Sequence, residues 1–283
     1  MKRLMLLLIA AVLPVTLSAQ AQIVTKDAKI KDFQEKTTKI VLTGNEFFDS
    51  ALSEEIRTRW TISPFEFCSL EEFNSLKGSS DYYFLMCVKS RFRKEPEPGI
   101  QMLTLIKGGE KADKGLGKML ELVSIPLCSA RYPSGREMIF LPALIDIMQE
   151  QISHILSSSL SAYSTLSETS GNLYETGGMS IVFSEDDLSE DITDDIRDLY
   201  FRDGIAAADE SDTDDLMLDN APDTIVSYTV APFEPVAGSS YCYKMLIDAG
   251  THELYYFRKH KITKKTGPGF LPEDLMRISS GRR

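Results

Sequence analysis

Residues 40–60 run Ile-Val-Leu-Thr-Gly-Asn-Glu-Phe-Phe-Asp-Ser-Ala-Leu-Ser-Glu-Glu-Ile-Arg-Thr-Arg-Trp, and residues 181–200 run Ile-Val-Phe-Ser-Glu-Asp-Asp-Leu-Ser-Glu-Asp-Ile-Thr-Asp-Asp-Ile-Arg-Asp-Leu-Tyr. In the first, Phe48, Leu52, Ile56 and Trp60 recur every fourth residue, the spacing of one apolar stripe on a helix. Leu188, Ile192, Ile196 and Tyr200 repeat that stripe at a constant offset of 140. Thr43 to Glu46 and Ser184 to Asp187 have the Ser/Thr-x-x-acid spacing of a capping box, whose side chains satisfy the free amides of a helix start. A short apolar run of strand length precedes each helix. The chain therefore reads as one β-α unit written twice.

The correspondence extends outward in order. Glu71-Glu72-Phe73 answers Asp214-Asp215-Leu216, and Tyr82-Tyr83 answers Ile225-Val226, both at an offset of 143. Leu105-Ile106-Lys107-Gly108-Gly109 answers Leu246-Ile247-Asp248-Ala249-Gly250 at 141, and Phe140-Leu141-Pro142 recurs as Phe270-Leu271-Pro272 at 130. Expected strands are Ile62–Phe67, Tyr82–Val88, Ile100–Ile106 and Met119–Ile125. Their counterparts are Gly204–Ala208, Thr224–Val230, Tyr241–Ile247 and Glu253–Ile262. A short helix is expected from Ser69, capped toward Glu72, and its partner from Asp212 toward Asp215. Asp248-Ala249-Gly250-Thr251 signals a tight hairpin, with Gly250 supplying a positive φ. Each copy closes with a helix whose first position is a proline, Pro142 or Pro272.

The fold expected is thus α/β with a mixed sheet, a tandem duplication of a β-α-β-α-β-β-β-α domain. The domains are drawn at 36–156 and 179–280, joined by a flexible Ser/Gly-rich linker at 157–178.

At 283 residues, 43% hydrophobic and 26% charged, the composition is that of a globular protein. A formal charge of −11 argues against a nucleic-acid binder held by phosphate attraction, and three His with four Cys leave little material for a zinc cluster. Lys2 and Arg3, an apolar run from Leu4 to Val15 and Ala19-Gln20-Ala21 form a Sec-type signal peptide. Residues 1–21 are expected to be cleaved near Ala21, leaving a periplasmic or secreted protein with no membrane span. The acid is concentrated. Residues 185–223 hold 16 acidic residues against Arg197 and Arg202, so the rest of the mature chain is close to neutral. Arg258, Lys259, Lys261, Lys264 and Lys265 form a basic end to the last hairpin, which either neutralises that stretch or meets an acidic partner.

The succession of elements resembles the periplasmic α/β domain of the TolB amino-terminal and curli secretion channel type. Asp81-Tyr82-Tyr83-Phe84-Leu85 is similar to that type's third strand. Leu246-Ile247-Asp248-Ala249-Gly250-Thr251-His252-Glu253 is similar to its hairpin, with His252 where the family prefers Gly. The first copy departs at the hairpin, where it has Leu105-Ile106-Lys107-Gly108-Gly109-Glu110. The resemblance implies a non-enzymatic protein-binding or assembly role in the cell envelope.

No residue is assigned a catalytic, cofactor-binding or metal-binding role, and no cofactor is expected. His252 and His260, eight apart on one strand, would stand about 26 Å apart at roughly 3.3 Å per residue, too far to share a metal. His154 falls on the polar side of its helix. Gly115-Leu116-Gly117-Lys118 lacks the remaining glycines of a phosphate loop. Cys68, Cys87, Cys128 and Cys242 form no Cys-x-x-Cys pair, and their disulfide state is left open. Two rivals to an envelope adaptor remain. One is a secreted hydrolase with a carboxylate site between the domains, drawing on Glu66, Glu71 or Glu72. The other is a calcium-modulated module built on residues 209–215, although the glycine and final glutamate of an EF-hand loop are missing.

Overall fold

The computed structural model describes residues 29–158 and 161–282, so the expected signal peptide at 1–21 lies outside the described residues. The first half runs β1 (Thr37–Val41), α1 (Glu46–Arg59), β2 (Phe65–Cys68), α2 (Leu70–Leu76), β3 (Tyr82–Ser90), β4 (Ile100–Lys107), β5 (Leu120–Ser129) and α3 (Arg136–Ser157). The second runs β6 (Ser180–Ser184), α4 (Asp194–Tyr200), β7 (Ile205–Ala208), α5 (Glu210–Leu218), β8 (Thr224–Val230), β9 (Tyr241–Asp248), β10 (Leu254–Lys261) and α6 (Pro272–Gly281). The first sheet has the order β2-β1-β3-β4-β5 and the second β7-β6-β8-β9-β10, the same path traced twice. In each, the opening strand is parallel to both neighbours. The third, fourth and fifth strands form an antiparallel meander. The expected mixed α/β sheets are present, and both halves keep the expected element order.

Local chemistry departs from the expected signals at several points. The box from Ser69 to Glu72 forms: Glu72 N donates to Ser69 Oγ at 3.1 Å and Ser69 N donates to Glu72 Oε2 at 2.8 Å. The box at Thr43 does not. Thr43 and Gly44 turn toward the Asp49 carboxylate, and Asn45 caps α1 by accepting from Phe47 N and Phe48 N. The box at Ser184 is also absent, because Ser184 N donates to Ser227 Oγ and the Asp187 carboxylate is held elsewhere. The stripe from Leu188 to Tyr200 is not one helix. Glu185–Asp187 is a 3-10 turn, and Leu188 forms a parallel bridge to Phe270. Helix α4 then begins only at Asp194. Helix α5 begins at Glu210, earlier than Asp212.

Pro272 opens α6 as expected, whereas Pro142 lies inside α3, which starts at Arg136. The hairpin after β9 forms, but its positive φ falls on His252 (64°) and not on Gly250. Asp248 Oδ1 accepts from Gly250 N and Thr251 N, and this Asx turn moves the reversal along to residue 252.

The core explains how the halves combine. Helix α3 packs against α1 and β5 of the first half and α5 of the second. One apolar cluster joins Leu52 and Ile56 of α1, Leu103 and Leu105 of β4, and Phe140 to Ile155 of α3 with Val226, Tyr228 and Val230 of β8 and Met245 and Ile247 of β9. Along β8 and β9 the side chains alternate, so Ile225 and Leu246 face the opposite way. They enter a second cluster with Ile181, Phe183, Tyr256, Phe270, Leu275 and Ile278. The long helix that closes the first half therefore also covers the inner face of the second sheet. The short α6 covers only the outer one.

The segment expected as a flexible linker is built in. Residues Leu166–Thr176 form 3-10 turns, and Leu166 and Leu173 are buried in the first and second cluster respectively. Ser170 Oγ donates to Phe257 O at 3.2 Å and accepts from Phe257 N at 3.0 Å, which covers the outer edge of β10. Among the described residues, no helix is long and apolar enough to cross a membrane.

Candidate functional site: a crevice at the carboxyl ends of the second sheet

In the second half the chain leaves β6 toward β7 on one side and crosses back to β8 on the other. The connections thus diverge at the carboxyl ends of β6 and β8. In open α/β sheets such a switch point leaves a crevice, because no loop runs across it. Here the crevice has a volume of about 510 Å³. The second half supplies Asp186, Asp187 and Glu190 after β6, Glu210 at the start of α5, Thr229 and Val230 at the end of β8 with Ala231 and Phe233 beyond it, and Gly267 to Gly269. The first half closes it with Cys128, Ser129, Tyr132, Ser134 and Arg136.

Arg136 sits at the first turn of α3, an unfavourable place for a cation because the helix dipole is positive there. Its charge is used across the interface. The guanidinium donates through Nε to Asp214 at 2.8 Å, through Nη1 to both Asp187 oxygens at 3.3 Å, and through Nη2 to the Ser227 carbonyl at 3.4 Å. It lies over the rings of Phe140 and Tyr228, 5.2 and 5.6 Å from their centroids, and those rings stack at 4.3 Å. Asp187 also accepts from Ser227 Oγ at 2.6 Å, Thr229 Oγ1 at 2.5 Å and Thr229 N at 3.1 Å. Both Arg136 and Asp187 are buried, so this pair is a fully bonded internal post and not a free ligand-binding charge.

Gly269 forms the floor beside it with φ of 95°. A Cβ there would stand 2.7 Å from Ser189 N and 2.8 Å from Asp187 O, where Phe270 N meets the Asp187 carbonyl. Glycine is required at that position.

The mouth differs in character from the floor. Tyr132 and Phe233 are 52% and 60% exposed, and their ring centroids lie 4.5 Å apart. Asp186 and Glu190 are exposed, and among the described residues neither forms an ion pair. Glu210 is held above the usual glutamate value. Its burial is the main cause, and the neighbouring Asp214, Asp186 and Asp187 add to it against the opposing pull of Arg136.

The residues singled out in the sequence lie elsewhere, and none of Glu66, Glu71 and Glu72 lines this crevice. Glu66 pairs with Lys39, Glu71 is exposed, and Glu72 serves the α2 cap. Within 209–215, Asp214 is drawn inward to Arg136, and among the described residues no group of three metal-ligating side chains is assembled. His252 precedes β10 and bonds Asp146 Oδ2 at 2.7 Å, and Arg59 Nη1 donates to the same oxygen at 2.7 Å, which ties the hairpin to α3 and α1. All four cysteines are free thiols. Burial pushes Cys87, Cys128 and Cys242 up to about 12, so they are protonated at neutral pH. Among the described residues, none of the basic residues from Arg258 to Lys265 forms an ion pair with the acidic stretch; Lys259 and Lys261 lie over tyrosine rings of β9.

Comparison with protein-family models, with characterised proteins and with solved structures finds no match to this chain.

Proposed function

We propose that this protein is a secreted or periplasmic, non-enzymatic binding protein of the bacterial envelope, and that it engages a protein partner through the crevice of its second half. The observation that carries the reading is the mouth of that crevice. Large aromatic side chains that stay half-exposed beside a well-formed concavity are the usual anchors of protein recognition, since they bring much contact area at little cost in ordering. The signal-peptide pattern of residues 1–21 supports the compartment. The resemblance to the TolB amino-terminal and curli channel type supports an assembly role, as an analogy of fold and motif. Exposed acid around the crevice would speed encounter more than it would hold the complex.

The test is capture from an envelope fraction by immobilised mature protein. Phe233→Ser, at an exposed position, is expected to leave the thermal melt unchanged and to reduce retention of the partner about tenfold. Charge reversal at Asp194, Asp195, Asp198 and Asp215 is expected to slow capture in a salt-dependent way; Asp214 is left intact because it holds Arg136. Identical capture by wild type and Phe233→Ser, or turnover of a substrate by purified protein, overturns the reading.

A further inference from the structure

We infer that the crevice is a seat for a cationic side chain, a lysine or arginine presented by a basic segment of the partner. This rests on the reading of the crevice as the partner-binding surface and adds the chemistry of what enters it. Three observations converge. The cavity of about 510 Å³ lies within the range of ligand sites, roughly 300–1,000 Å³, and is large enough for one side chain with part of its backbone. Among the described residues, Arg136 is the one cation lining it and is already matched by Asp187 and Asp214 with Glu210 close by, which leaves Asp186 and Glu190 at the mouth with no cation of their own. The Phe233 ring, 60% exposed, offers a π face at the same mouth, and the ring packed against it, Tyr132, already carries the Arg131 guanidinium at 5.2 Å, which shows that such a cation fits this aromatic pair. Carboxylates with aromatic faces in one concavity recognise a cation that carries an apolar stem.

The occupant is a foreign segment and not a second copy of this chain. Residues 185–223 carry a net charge of −14, so a second copy that offered its basic run from Arg258 to Lys265 would bring an equally acidic stretch with it, and two copies repel. The chain's own basic loop borders the crevice at Gly267 yet, among the described residues, forms no ion pair with it.

The experiment measures fluorescence anisotropy of two labelled peptides of equal length, one rich in lysine and arginine and one with those residues replaced by glutamine, against the full mature chain. The basic peptide is expected to bind at least about tenfold more tightly than the glutamine peptide. Phe233→Ser and the pair Asp186→Asn with Glu190→Gln are each expected to weaken it about tenfold, while Asp194→Asn, Asp195→Asn and Asp198→Asn together change it less than about twofold. Thermal melts check that every variant is folded. No binding of the basic peptide at about 1 mM overturns the inference. Equal weakening by the α4 variants also overturns it, because the effect is then the general field of the acidic stretch. Equal binding of both peptides, lost with Phe233→Ser, refutes the cationic ligand but leaves the crevice as the binding surface. If binding and capture are both indifferent to Phe233→Ser, the underlying reading fails with it.

Discussion

Ile56→Asp is expected to unfold both halves of the molecule together. Ile56 is fully buried within the apolar cluster that runs from α1 and the first sheet through α3 to β8 and β9. A carboxylate there finds no cation or donor to replace water, and such burial costs on the order of 5 kcal/mol, comparable to the whole stability of many domains. Because the cluster is continuous, the wild-type chain is expected to melt in one calorimetric transition, with the ratio of calorimetric to van't Hoff enthalpy close to one. Two transitions, with only one displaced by Ile56→Asp, would refute the shared core. Ile196→Asp is the contrast. Ile196 is only half-buried at the margin of the second cluster, so its substitution is expected to shift the melt far less.

The second large effect belongs to Arg136. Replacing it by Met removes the cation and leaves Asp187 and Asp214 facing each other in a nearly dry site. Breaking a buried pair on one side typically costs about 3–5 kcal/mol, because the remaining charge is uncompensated. The expected result is a loss of that size in chemical denaturation, with the slope unchanged. Adding Asp187→Asn and Asp214→Asn to Arg136→Met is expected to recover a large part of the loss, since no net charge then stays buried. Asp187 retains three other donors from Ser227 and Thr229, and their amide partner in the Asn variant can use only part of that set, so recovery should stop short of wild type. A triple variant less stable than Arg136→Met alone would refute the pairing.

Much of the fold was legible from period and spacing. The apolar stripe of α1, the Ser69 box, the continuous apolar runs of β3 and β8 and the hairpin after β9 all stand where local patterns put them. These patterns are local, and local hydrogen bonding decides them. The errors cluster where a distant partner wins. Ser184 and Asp187 have the spacing of a cap, but Ser227, Thr229 and Arg136 claim both groups, from 40 or more residues away. Leu188 has helical spacing, yet its backbone is taken by Phe270.

The crevice was not legible for the same reason. Its parts come from β5, the start of α3 and the loops after β6, β8 and β10, and no short motif spans them. Two faint signals were available. One is an arginine in the first turn of an otherwise apolar helix, against the dipole. The other is the strand order itself, which locates a switch point once the chain is known to cross back after β7.

The double duty of α3 has a consequence for how the chain is made. The first half is synthesised and can assemble before the second exists, and at that stage the side of α3 bearing Phe140 has no sheet to rest on. Until β8 and β9 arrive, the half-made protein carries a greasy flank of the kind that recruits chaperones or joins two unfinished chains together. A chain cut short after α3 would keep that flank permanently, and a chain beginning at β6 would lack the lid for its inner face. Neither half is a spare part.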